Sequence, residues 1–132
     1  MNAITTRVAM FPSRLEAWKR ARAFIEDFCR GANVAREACL KANLVIEELF
    51  LNTVKHGHRG GSDAPVWITL EAQAPGMQVT YEDTGPPFNP FAYRVELGKI
   101  GGLGVLLARE LALARDYAYL FGRNRIRLSL AA

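Results

Sequence analysis

The sequence predicts one α/β domain, a two-layer sandwich in which three helices pack on one face of a largely antiparallel sheet. Two observations predict it. Helical and alternating apolar patterns succeed each other in the order β, α, α, β, β, loop, α, β, β, with short turns inside the strand pairs. The chain has 132 residues, half of them hydrophobic and 23% charged, enough for one core and little more.

The first strand is read from "AITTRVAMF", β-branched and ended by Pro12, with Ser13 placed to cap the next element. From Arg14 to about Arg30, Leu15, Trp18, Ala21, Phe24, Ile25 and Phe28 recur at helical spacing up to Gly31. Asn33 is the expected cap of a second helix, Val34 to His56, closing at Gly57. The loop "GHRGGSDAP" leads to "VWITLEAQ" and, after "APGM", to "QVTYED", a hairpin. Alternation puts Val66, Ile68 and Leu70 on one face, with Met77, Val79 and Tyr81 on the matching face of the partner, and the same phase turns Asp83 inward. Thr84 to Gly102 is a Pro- and Gly-rich stretch, too long for a turn and read as a functional loop or lid. A third helix is expected from Leu103 to about Arg115, then "YAYLF", a "GRN" connection and "RIRLSL" as a closing hairpin. No repeat, low-complexity tract or linker interrupts this order.

Composition excludes several classes. The formal charge of +4 favours anionic partners, yet no Lys or Arg run resembles a nucleic-acid arm. Arg123, Arg125 and Arg127 alone could serve nucleic acid, and a solvated strand face explains them equally, so DNA binding is not expected. Cys29 and Cys39 suggest neither a disulfide framework nor a zinc site and read as buried thiols. The N-terminus has no export pattern, and "LGVLLARELALA" is too short for a bilayer and carries Arg109 and Glu110; a cytoplasmic location without membrane insertion is the expectation.

Three clusters can carry chemistry. On the second helix Asn52 lies roughly 40° round from Glu48 and His56 another 40° beyond, a polar stripe bordering the buried face. A carboxylate there suits a base, and the neighbouring amide oxygen suits a hard cation. The same spacing also suits a solvated edge, with Glu48 and Lys55 as surface charges and His56 favourable at a helix C-terminus. Asp83, turned inward before Thr84 and Gly85, can accept from an exocyclic amine or simply close an Asx turn. Gly101, Gly102 and Gly104 precede an apolar helix, where glycines let phosphate approach free N–H groups and also serve ordinary loop flexibility. The Walker-type G-x-x-x-x-G-K-[ST] is absent, "GLGVLL" lacks the dinucleotide context, and the two histidines of "HGH" lack a third metal ligand.

Taken in order, "EELFLNTVKH", "EDTGPPF" and "GGLG" resemble the N, G1 and G2 boxes of the Bergerat-fold ATPases. Within that superfamily the chain looks most like the anti-sigma-factor serine kinases, sharing "DTGPPFNP" and the "GRNRIRL" ending over nearly its whole length. The resemblance implies a mixed, largely antiparallel Bergerat sheet and ATP with Mg²⁺ as cofactors. It implies Glu48 as the acid activating the attacking hydroxyl and Asn52 as the Mg²⁺ ligand, with His56 near the phosphates. It implies Asp83 as the adenine acceptor with Gly85 beside the base, and Gly102, Leu103 and Gly104 at the phosphates. Implied partners are a STAS-fold anti-sigma antagonist, phosphorylated on serine, and a sigma factor, with the kinase a homodimer. In the short lid from Phe88 to Gly101 the basic residues are Arg94 and Lys99, and one or the other is the expected contact to a γ-phosphate. A non-catalytic ATP-binding switch for a protein partner is the alternative. The first helix, bearing Trp18 and Phe24, is the expected dimer surface if part of it stays exposed.

Overall fold

A computed structural model describes residues 5–57, 60–73, 75–91 and 111–132. Five strands, β1 (Thr6–Pro12), β2 (Pro65–Gln73), β3 (Gly76–Asp83), β4 (Ala112–Leu120) and β5 (Arg123–Leu130), form one sheet in the order β1-β2-β3-β5-β4. All four pairings are antiparallel, so among the described residues the expected mixed sheet is antiparallel throughout.

Two helices, α1 (Trp18–Gly31) and α2 (Arg36–Asn52), supply the second layer. They bury Ile25, Ile46 and Phe50 against Ile68, Leu70, Tyr81 and Leu128 of the inner sheet face. The predicted alternation holds: Val66, Ile68, Leu70, Met77, Val79 and Tyr81 are all buried. Removing such side chains from water is the main force holding the layers together, about 1.5–3 kcal/mol for each large one. No helix among the described residues is long and apolar enough to cross a membrane.

Several local expectations are corrected. Residues 15–17 form a 3-10 turn before α1, and Ser13 caps nothing. Its side chain is buried and its hydroxyl donates to Ala64 O at 2.8 Å, joining the end of β1 to the segment before β2. Asn33 is not the N-cap of α2; that position is Ala35. Asn33 instead adopts φ 57°, and the Val34 N–H reaches back to Cys29 O at 3.2 Å. That pattern is a Schellman ending, in which Asn tolerates the left-handed turn usually given to glycine. The expected stop therefore lies two residues beyond Gly31.

The second helix also ends differently. Its last turn, Thr53–Gly57, is π-helical. The Thr53 N–H is shared between Leu49 O and Phe50 O while its hydroxyl lies 2.9 Å from Leu49 O, a side-chain intrusion that loosens the regular ladder.

The third helix falls mostly on residues 92–110, outside the described ones. Its expected end is overturned, since Ala112–Arg115 belong to β4 and pair with β5. The tight turn of that hairpin is Phe121–Gly122, both at positive φ, and Arg123 and Asn124 lie in β5 rather than in a connection.

The sheet face away from the helices carries the β5 arginines. Arg125 and Arg127 approach Asp116 at 3.8 and 3.2 Å, and Arg123 approaches Glu82 at 3.5 Å while stacking over Trp67. Each arginine thus has an acidic partner, and the nucleic-acid alternative gains nothing from them. Trp18 and Phe24 are partly buried: each packs on the core, against Phe50 and Phe11 respectively, and keeps part of its surface exposed.

Candidate functional site

A cavity of about 440 Å³ opens between the end of α2, the strand ends of β3 and β5, and the loop after Asp83. That volume lies within the range of small-molecule sites. Asn52 and His56 line it from the helix, Asp83 and Gly85 from the β3 end, and Asn124 from β5. Two members of the predicted stripe, and Asp83 and Gly85 of the predicted "DTG" cluster, therefore meet at one place. Glu48 is half-buried one turn before Asn52 and stands outside the lining. Gly102, Leu103 and Gly104, like Arg94 and Lys99, lie outside the described residues.

Asp83 forms the polar corner of a mostly apolar hollow. Its Oδ1 accepts from the Asn124 amide at 2.9 Å and from the Gly85 N–H at 3.2 Å. The second contact is an Asx turn, so both readings of this acid hold: it closes the turn and it faces the cavity. Its Oδ2 lies 2.8 Å from the Thr53 hydroxyl, which is 2.6 Å from the Tyr81 hydroxyl. Burial raises the Tyr81 phenol well above its usual pKa.

Asn124 ties the corner to the loop. It is Asp83's direct partner across the β3–β5 ladder. Its amide nitrogen also reaches Gly85 O and Pro86 O at 3.1 and 2.9 Å. Its oxygen accepts from the Phe88 N–H at 2.9 Å and from Tyr117 Oη at 2.5 Å. A buried amide so fully bonded fixes its neighbours as firmly as a packed apolar side chain does.

Gly85 has a steric reason to be glycine. A Cβ there would sit 3.1 Å from the Gly57 Cα, so the loop crosses the end of α2 backbone against backbone. This crossing closes one wall of the cavity without filling it.

Sequence reasoning missed Thr53, Tyr81, Tyr117 and Asn124 as site residues. The signal for Asn124 was present: it alternates in phase with Ile126 and Leu128, so a polar residue faces the core side just as Asp83 does. Thr53 is separable from an ordinary helix residue only by its partners across the fold.

Burial pushes the Glu48 carboxyl above its usual range; Lys55 opposes the shift and Glu47 adds to it. Folding thus favours the protonated form, a contribution fully present below the unfolded pKa of about 4.3 and lost as pH rises through the raised folded value. Glu48→Gln removes this penalty. Thermal melts should show the variant more stable than wild type at pH 7, with the gain vanishing below about pH 4. A gain that persists in acid would assign it to something other than ionisation.

Residues 11–130 match the family model described as the histidine kinase-like ATPase domain. Among solved structures, the RsbU and RsbW domains of Rv1364c from Mycobacterium tuberculosis share the fold, with TM-score 0.68 at 14% identity over 95% of this chain. This chain spans 32% of that one. No curated protein matches the sequence. The family match covers the helix stripe, the Asp83 corner and the closing strand alike, and the chain belongs to the histidine kinase-like ATPase domain family.

Proposed function

We propose that the cavity binds ATP by its adenine ring and that the chain is a Mg²⁺-ATP-dependent serine kinase of the anti-sigma type, acting in the cytoplasm on a STAS-fold antagonist. The observation that carries the reading is the Asp83 corner: one carboxylate at the end of an apolar hollow of ligand size, backed by a glycine crossing.

These residues suit the nucleotide. The apolar walls accept a flat ring, and the carboxylate accepts from its amino group. Asn52 and His56 line the same cavity and are assigned to the phosphate side on the family resemblance. No group of three or more His, Cys, Asp or Glu among the described residues can hold a metal ion alone. Mg²⁺ keeps waters and phosphate oxygens as ligands, so a single amide such as Asn52 suffices from the protein side. When bound, Mg-ATP supplies the transferable phosphoryl group and neutralises its charge. Glu48, with its proton affinity raised by burial, is suited to take the proton of the attacking serine hydroxyl. Gly102, Leu103 and Gly104 are assigned to the phosphates, and Arg94 or Lys99 to the γ-phosphate, on the family resemblance.

A STAS antagonist and a sigma factor as partners, with a homodimer as the working form, are assigned on the family resemblance, and the likeness to a chain with an RsbW domain supports the fold that this reading needs. A non-catalytic ATP-binding switch is the second reading, favoured by Glu48 standing outside the cavity lining. Calorimetric titration of ATP tests the shared core of both. Binding should tighten with Mg²⁺, and Asn52→Ala should lose most of that Mg²⁺ gain while keeping metal-free binding within about 3-fold, as expected for loss of one ligand. No binding by well-folded wild type would overturn the ATP reading.

A further inference from the structure

This inference rests on reading the cavity as an ATP site and concerns how Asp83 comes to select a base. Five groups around its carboxylate carry protons, and each proton can be followed to an acceptor. The Gly85 N–H points at Oδ1. The Asn124 amide protons serve Oδ1 and the Gly85 and Pro86 carbonyls. The Tyr117 hydroxyl donates to Asn124 Oδ1.

Thr53 and Tyr81 need one more step. The 2.8 Å contact runs from the Thr53 hydroxyl to Asp83 Oδ2 and uses the single Thr53 hydroxyl proton. The 2.6 Å contact between Thr53 and Tyr81 must then use the Tyr81 proton. Leu49 O loses nothing, because the Thr53 backbone N–H serves it. Tyr81 keeps its proton, since burial holds the phenol neutral.

Every proton of these five groups is therefore engaged. Among the described residues, Oδ1 takes two donors for its two lone pairs, and Oδ2 takes one donor and has one acceptor position left. We infer that Thr53, Tyr81 and Asn124 are positioning residues that set base specificity: by turning their own protons onto protein acceptors, they leave beside the Asp83 carboxylate a position that accepts an exocyclic amino group and gives no proton of theirs to an oxo group. Asp83 alone would not guarantee this, because Tyr81 also lines the cavity and its proton, if freed, would serve a 6-oxo base.

The test compares ATP with inosine triphosphate, which has a 6-oxo group in place of the amine, by calorimetry on folded wild type and variants. Wild type should prefer ATP. Thr53→Val removes the acceptor of the Tyr81 proton and should cut the ATP-to-ITP affinity ratio by about 10-fold, the worth of one hydrogen bond gained by the wrong base. Thr53→Ser should restore the ratio. In Thr53→Val combined with Tyr81→Phe no proton is free, so the preference should return while both affinities stay reduced. A purely structural role would weaken both nucleotides together and leave the ratio unmoved, and that result overturns the proposal, as does a wild type that binds both equally. Thr53→Ala gives the same readout if Thr53→Val does not fold. Wild type that binds neither nucleotide overturns the ATP reading itself, a different failure from an unchanged ratio.

Discussion

Glu48→Gln lowers phosphoryl transfer by about 10²- to 10⁴-fold while ATP affinity stays within about 3-fold, if Glu48 takes the proton of the attacking hydroxyl. The amide keeps the size of the side chain and loses the ability to accept a proton. Binding is spared because Glu48 stands outside the cavity lining, one helical turn from Asn52. Label transfer from ATP to a serine-bearing antagonist measures the effect directly, and steady-state ATP hydrolysis measures it without an acceptor. Equal turnover by variant and wild type would return Glu48 to the helix surface and favour the non-catalytic switch. The stability gain expected of the same variant at pH 7 points the same way, since a half-buried acid that destabilises the fold is what a site residue retained for chemistry looks like.

Asp83→Asn should weaken ATP by about 10- to 100-fold, the range for a hydrogen bond to a charged group. The protein should still fold, and the reason lies in the surrounding donors. Two of them, the Gly85 N–H and the Asn124 amide, aim at the Oδ1 position and require an oxygen there. The new NH₂ must then occupy the Oδ2 position, facing Thr53. Thr53 can accept from it and turn its own proton to Leu49 O, 2.9 Å away. All groups remain bonded, but the group facing the ligand becomes a donor. Preference should thus move from ATP toward inosine triphosphate, read by the same titrations. Undiminished ATP binding by Asp83→Asn would remove this carboxylate from the site.

The sheet is largely legible in the sequence because its signal is binary: alternate residues of β2 and β3 are apolar, and a slip by one would expose them all. The same phase rule carries Asp83 inward. Helix ends are less legible because they depend on which residue turns left-handed, and Asn33 takes the role that Gly31 seemed made for. The strand character of Ala112–Arg115 is masked by residues with good helix propensity; pairing with β5 overrides that preference. Thr53 is the least legible part of the site. Its importance comes from Tyr81 and Asp83, 28 and 30 positions away, and no local pattern holds that information.

The strand order has a consequence for when the protein becomes competent. The polar stripe of α2 is local and exists as soon as that helix forms. The acceptor corner is not local: Asp83 and Asn124 are 41 residues apart and meet only when β5 inserts between β3 and β4. Loop closure of that span is an entropic hurdle that contacts within one helix never face. A partly folded chain thus carries the Glu48–Asn52 stripe without the Asp83–Asn124 corner, and on the proposed function ligand capture becomes a late event that rewards only the finished topology.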